Sequence, residues 1–320
     1  MDTPWELVDL DDDFSRGTKG CRLSEPVPRV VIAFAARPVD VAAEACDVLL
    51  TGAEDAPRPW VRCPDPRESA ARLCEAVEAS ADAAVALVHV LRLGRSLGVP
   101  ERLVAESLAY SALQGGARFR HWLASTPRGA ARPAAHPVRL DRAGELLSVT
   151  LNRPWVRNAV DAATRDALCE ALTVAVADPS VARVDLRGSG PAFCSGGDLS
   201  EFGSSTDSAR AHRVRVERSP AGLLARCGQR VTAHLHGACV GAGIELASFA
   251  GRIVATPDTW IRLPEVAMGL IPGAGGTAGI PRRIGRHRTA WLALSGVQLT
   301  AHEALDWGLV DVILESVQDG

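Results

Sequence analysis

Between residues 231 and 277 short apolar runs alternate with glycine turns, and two glutamates stand beside such turns in this largely apolar stretch. Gly241-Ala242-Gly243-Ile244-Glu245 carries the first, and Pro264-Glu265-Val266-Ala267-Met268-Gly269 carries the second, twenty residues later. Leu270-Ile271-Pro272-Gly273-Ala274-Gly275-Gly276-Thr277 follows directly. Residues 231–235 and 253–255 have the length and apolar character of buried strands. The glycines beside them permit tight turns and close approach of backbone N–H groups to a ligand. Carboxylates in such surroundings lose hydration, so their pKa rises, and a pair can share acid and base work near neutral pH.

The flanking sequence has the same alternation. Residues 146–151 and 184–186 read as strands, and residues 161–176 as a helix with Ala163, Ala167, Leu168, Ala171 and Leu172 at three- and four-residue steps. A second glycine turn, Phe193-Cys194-Ser195-Gly196-Gly197-Asp198-Leu199, follows the 184–186 strand. Strands alternating with helices predict an α/β layer structure.

The compositional break falls at Ser125-Thr126-Pro127-Arg128-Gly129-Ala130-Ala131-Arg132-Pro133, a linker rich in small residues, proline and arginine. It divides the chain into an α-rich N-terminal region, residues 1–128, a linker, residues 129–135, and a second domain, residues 136–320. The N-terminal region begins irregularly. Residues 30–34 read as a buried strand, and residues 40–50 as a helix and a second short strand. Residues 65–123 are helical, with Asp65-Pro66 as cap and first turn and breaks at Gly98-Val99-Pro100. Cys46-Asp47-Val48-Leu49-Leu50-Thr51, then Glu54-Asp55 and Trp60, loosely echoes Gly251-Arg252-Ile253-Val254-Ala255-Thr256, then Asp258 and Trp260. The first half is therefore either a decayed copy of the second or, as preferred here, an unrelated helical extension. It has no counterpart of Glu265 or of the 271–277 turn.

A net charge of -3 over 320 residues gives no electrostatic footprint for nucleic acid. The acidic start is unlike a signal peptide, and no run is long enough to span a membrane. Eight cysteines without a C-x-x-C pair read as thiols of a cytoplasmic protein.

The order of these motifs resembles the crotonase superfamily, the enoyl-CoA hydratase/isomerase fold, over residues 136–314. Leu151-Asn152-Arg153-Pro154-Trp155-Val156-Arg157-Asn158-Ala159 resembles its first strand and CoA-contacting turn, and residues 285–310 resemble its later helices. The resemblance implies a ββα spiral core. It also implies that the backbone N–H groups of Gly197 and Ala242 face a thioester oxygen, and that Glu245 and Glu265 hold a water and move its protons. Arg157, Asn158, Ala159 and Gly196 would line the CoA path, with Arg157, rather than Arg153, as the better phosphate contact. No separate cofactor is implied, since CoA is part of the acyl-CoA substrate. A homo-oligomer, trimer or hexamer, is the family's usual assembly.

The retained carboxylate pair favours hydration of an enoyl-CoA. Isomerisation, cofactor-independent oxygenation of the same enolate, and a non-catalytic partner subunit are the alternatives. Asp198 reads as a helix cap, Cys194 and Cys239 as buried small hydrophobes, and His234 and His236 as structural. The chain ends at Gly320, where family members continue into helices over the acyl pocket. The N-terminal region, which resembles the extension of the dihydroxyphenylacetyl-CoA dioxygenase branch, is expected to replace that cover.

Overall fold

The computed structural model describes residues 3–15, 28–41 and 43–315. The N-terminal region is less helical than its sequence suggests. Strands β1 (Trp5–Asp9), β2 (Val30–Ala35), β3 (Val48–Thr51) and β4 (Val61–Arg62) form a parallel sheet in that order, with helix α1 (Leu10–Ser15) after β1. Every residue of β2 and β3 is buried, which explains their unbroken apolar sequences. Of the irregular start expected from sequence, residues 5–15 are instead strand and helix, and residues 16–27 lie outside the described residues. The helix expected before β3 is only a single 3₁₀ turn, Ala43–Ala45.

Four helices follow: α2 (Pro66–Ala79), α3 (Ala81–Leu93), α4 (Val99–Gln114) and α5 (Ala117–Ser125). Asp65 caps α2 by accepting from the Glu68 N–H, and Pro66 stands in the first turn. Residues 127–134 have no regular structure.

The second region opens with an antiparallel hairpin of β5 (Val138–Ala143) and β6 (Leu146–Leu151). Then come α6 (Ala162–Ala177), β7 (Arg183–Gly188), α7 (Ser208–Glu217), α8 (Pro220–Cys227), β8 (Val231–Leu235), β9 (Ala238–Val240) and α9 (Ala242–Ala247). The remaining elements are β10 (Arg252–Ala255), β11 (Trp260–Arg262), α10 (Gly276–Ser295), β12 (Leu299–Thr300), α11 (Ala301–Trp307) and β13 (Val312–Ile313). One sheet runs β13-β10-β8-β7-β6-β5, parallel except for β5. A small second sheet runs β12-β11-β9. The chain therefore steps from β8 in the large sheet to β9 in the small one, and from β10 to β11 likewise. The 193–199 turn follows β7, the 241–243 turn and Glu245 follow β9, and Glu265 follows β11.

The echo between the halves extends one strand and then stops. β3 runs parallel to β2 as β10 runs parallel to β8. After Trp60, however, β4 stays in the same sheet, whereas after its counterpart the strand β11 joins the small sheet.

One hydrophobic cluster runs through both regions, from Val30 to Val310, and a second, smaller one gathers Val31, Ala33, Leu49 and Trp60 of the N-terminal region. Polar side chains fasten the regions together along α10. Arg286 and His287 donate to the Ala43 carbonyl, and Arg288 donates to the carbonyls of Trp60 and Ala56. Buried Asp47 accepts from the Val31 N–H and from Arg92, with Arg286 at 3.5 Å on its other oxygen. Among the described residues no helix is long and apolar enough to cross a membrane.

Candidate active site

Gly241 starts the site. Its φ of 48° and ψ of -120° carry the chain from β9 into α9. A Cβ there would stand 2.4 Å from the Glu265 Oε1, so any side chain at this position would push the Glu265 carboxyl aside. A Cβ on Gly243 would stand 2.5 Å from the Cys194 carbonyl oxygen, so α9 begins pressed against the other glycine turn. Cys194 and Cys239 pair as an isolated parallel bridge beneath that contact, and both thiols are fully buried, with burial raising their pKa. They pack as small apolar residues.

Two backbone N–H groups, one on each turn, lie beside the cavity. The Val160 N–H donates to Gly196 and the Asp198 N–H donates to Val160, which leaves the Gly197 N–H outside this bridge. Ala242 is the first residue of α9, where an N–H has no intrahelical acceptor. Neither N–H has a protein acceptor among the described residues, and both residues line a cavity of about 650 Å³.

Glu245 and Glu265 line the same cavity. Glu245 is 2% exposed, and its Oε2 accepts from the Ala274 N–H at 2.7 Å and the Gly276 N–H at 2.9 Å. Burial raises its pKa well above the usual carboxylate range, and repulsion from Glu265 and Glu106 raises it further; the two N–H groups oppose the shift. Glu265 opens a single 3₁₀ turn, Glu265–Met268, closed by Gly269 in the left-handed region. Its Oε2 is shut off from solvent without a hydrogen-bond partner. Burial also raises this carboxyl, as does the charge of Glu106, against a smaller pull from Arg262.

A third buried carboxylate joins them from the N-terminal region. Glu106 of α4 is 2% exposed and lines the cavity. It accepts from the Gly275 N–H at 2.7 Å, the Thr277 N–H at 2.8 Å and the Thr277 hydroxyl at 2.6 Å. Successive N–H groups of the 274–277 turn thus alternate between Glu245 and Glu106. Tyr110, one helical turn on, lies against Gly273, where a Cβ would meet the ring at 2.4 Å. The Arg215 guanidinium lies 4.8 Å over that ring and bonds Ser107, Ser111 and Gln114. The apolar wall comes from both regions, with Leu103 and Phe119 on one side and Phe202, Ala221 and Leu246 on the other.

The structure thus brings Gly197, Ala242, Glu245 and Glu265 to one cavity and leaves Arg157, Asn158, Ala159 and Gly196 off its wall. Arg157 and Asn158 are both left-handed, with φ of 51° and 57°. Asn158 is buried, accepting from the Arg153 N–H and donating to the carbonyls of Ser189 and Ala192, so its amide is spent holding the turn. Arg153 is 1% exposed and pairs with Asp161 and Asp198, which removes it from any phosphate. Arg157 is the exposed guanidinium of the turn. Asp198 caps the short turn after it by accepting from the Ser200 N–H. His234 lies 3.1 Å from Asp185, and His236 bonds the Gly190 carbonyl. Among the described residues no cluster of side chains suits a metal ion.

Sequence reading missed Glu106 and Arg215. Glu106 lies 169 and 171 residues from its partners, in a helix whose polar residues Glu106, Ser107 and Ser111 are buried while Leu108 is 53% exposed. That inverted pattern is the only signal the local sequence offers.

The profile of the enoyl-CoA hydratase/isomerase family matches residues 141–318. Over 191 residues the chain is 35% identical to mevalonyl-coenzyme A hydratase SIDH of Beauveria bassiana, covering 57% of this chain and 68% of that protein. It is 33% identical over 180 residues to 2,3-dehydroadipyl-CoA hydratase of Escherichia coli, covering 55% and 69%. The chain spans between 63% and 69% of the length of these and a similar Bacillus subtilis relative. Among solved structures, enoyl-CoA hydratase from Thermoplasma volcanium superposes with a TM-score of 0.51 at 31% identity, over 57% of this chain and 73% of that one. Enoyl-CoA hydratase from Bacillus anthracis superposes with a TM-score of 0.52 at 29% identity, over 56% and 70%. Both glycine turns and both carboxylates fall inside the matched segment, and the chain belongs to the enoyl-CoA hydratase/isomerase family of the crotonase superfamily.

Proposed function

We propose that this chain hydrates an enoyl-CoA, adding water across the 2,3 double bond of an acyl thioester. The observation that carries the reading is the meeting of Glu245 and Glu265 in one buried cavity beside the two unpaired N–H groups of Gly197 and Ala242. Attack of water at C3 moves charge onto the thioester oxygen, where fixed N–H donors stabilise the enolate; one such donor is worth about 3–4 kcal/mol of barrier. One carboxyl of the pair takes a proton from the water and the other gives a proton to C2, so the product is a 3-hydroxyacyl-CoA and the pair ends with as many protons as it began. Proton loss from either carboxyl is resisted by burial, so the pair keeps at least one proton near neutral pH.

Mevalonyl-coenzyme A hydratase SIDH and 2,3-dehydroadipyl-CoA hydratase, the two relatives named above, are hydratases of CoA thioesters, which supports the same reaction class. The thioester's CoA moiety is assigned to the turn of Arg157, Asn158, Ala159 and Gly196, outside the cavity wall, with the exposed Arg157 toward phosphate. The homo-oligomer usual for the family belongs to the same reading, and sedimentation of the purified chain tests it.

The deciding experiment is incubation with a panel of enoyl-CoA thioesters followed by mass spectrometry. A gain of one water supports the proposal. An unchanged mass with a changed absorption spectrum would point to isomerisation, and a gain of one dioxygen to oxygenation. No reaction with any thioester would leave a non-catalytic partner as the surviving reading.

A further inference from the structure

Six carboxylates line the cavity. Asp161, Asp198 and Glu201 are occupied by the N–H groups of Thr164, Ser200 and Ala162. Glu106, Glu245 and Glu265 act on one another, and the family's two-carboxylate chemistry leaves Glu106 without a task. Its setting differs from that of the other two. Glu106 accepts three hydrogen bonds, two from backbone N–H groups and one from the Thr277 hydroxyl. Glu245 accepts two, both on one oxygen, and the Glu265 Oε2 accepts none. The charged and titratable groups facing Glu106 are Arg215 from α7, Tyr110 from its own helix, and Glu245 and Glu265 across the cavity; Arg262 acts on Glu265 from the far side. Burial raises all three carboxyls, but only Glu106 has both three donors and a nearby guanidinium to oppose the shift. Three anions buried together would repel each other strongly, so the carboxyl that accepts the most hydrogen bonds is the one that ionises first.

We propose that Glu106, supplied by the N-terminal region, is a positioning residue of this active site: its carboxyl clamps the 274–277 turn against Glu245 and, once ionised, opposes loss of the last proton from the Glu245/Glu265 pair. The inference rests on the enoyl-CoA reading for its kinetic arm only. The mechanical half follows from the alternating N–H groups, since the turn that holds Glu245 is itself held at every second residue by Glu106. The electrostatic half follows from proximity, since an anion beside the pair opposes loss of its last proton. Glu106 touches the turn and not the reacting atoms, so it acts through Glu245.

The test compares Glu106→Gln and Glu106→Asp with the wild-type full chain. Glu106→Gln removes the charge, so both limbs of the kcat/KM bell should move to lower pH, by about one to two units for charges this close. Glu106→Asp keeps the charge but loosens the clamp, so kcat should fall while the bell stays near its wild-type position. A Glu106→Gln bell that does not move overturns the proposal, whatever the loss of rate. Carboxyl infrared titration of the same proteins reads the protons without substrate. In wild type the first carboxyl to ionise should be absent from Glu106→Gln, and the remaining two should ionise at lower pH; an unchanged titration overturns the proposal even if no enoyl-CoA is turned over. Should Glu106→Gln fail to fold, Thr277→Val removes one donor from Glu106 at nearly constant shape. The first ionisation should then move to higher pH, and an unmoved first ionisation overturns the proposal.

Discussion

Replacing Gly241 by alanine tests whether the position of Glu265 governs turnover. The backbone at 241, with φ 48° and ψ -120°, is one that a side-chain-bearing residue rarely adopts, and alanine there costs on the order of 1–3 kcal/mol in strain. The added methyl would lie 2.4 Å from the Glu265 Oε1, whereas ordinary contact begins at 3.4 Å. The carboxyl must therefore recede by about 1 Å. Misplacement of a reacting group by about 1 Å lowers turnover roughly 100-fold, equivalent to about 2.7 kcal/mol of barrier. Steady-state kcat and KM on the best enoyl-CoA, together with thermal melting, provide the assay. Expected are a Tm lower by about 2–8 °C, a kcat about 100-fold down and a KM changed little. Gly144→Ala is the control, because that glycine also has positive φ, 58°, but nothing within 4 Å of an added methyl. It should lose stability alone. A folded Gly241→Ala protein with kcat within about threefold of wild type would refute the assignment of Glu265 as a proton-transferring group whose placement matters.

Glu245→Gln and Glu265→Gln should each lower kcat about 10²–10⁴-fold with acyl-CoA binding nearly intact, and the double variant should cost less than the product of the two. The folded chain retains protons on these raised carboxyls that the unfolded chain has released, so stability should fall as pH rises from about 4.3, the ordinary carboxylate value, towards the raised folded values. Glu265→Gln removes part of that dependence and should melt higher than wild type at alkaline pH, by about 1.4 kcal/mol for each pKa unit removed; equal melting curves across pH would contradict this. Gly197→Pro removes the proposed oxyanion N–H and should abolish turnover in a chain that circular dichroism finds folded, whereas Ser195→Ala should be mild. A chain starting near Arg132 lacks Glu106 and uncovers α10, so it should aggregate or lose its cooperative melt; a soluble, active truncation would refute the packing argument.

The sequence was most legible where structure is made locally. Residues 146–151 and 231–235 form strands over just those spans, and Asp65 caps its helix, because apolar alternation and a capping side chain act on near neighbours. Glu245 and Glu265 were legible because each stands beside a glycine turn of recognisable order. β1, β4 and β5 were not. β4 is two residues long, and β5, Val138–Ala143, is mostly exposed and charged, so neither carries an apolar signature. β1 lies in an acidic stretch without alternation, and its pairing with β2 spans residues that local pattern cannot connect. The contribution of Glu106 depends on docking of two distant segments, and no local period reports that.

The interleaving of the 274–277 turn has a thermodynamic consequence. Its amides alternate between acceptors from two regions of the chain, yet none can open to solvent without disturbing its neighbours. Amide exchange at Ala274, Gly275, Gly276 and Thr277 should therefore follow one shared opening event, with a single protection level for both sets of bonds. Whatever tightens the turn from the cavity side must by reciprocity favour the docked arrangement of α4 against α10, and whatever loosens that docking must weaken what the cavity binds. For this chain, ligand affinity and the attachment of the N-terminal region are two readings of one equilibrium.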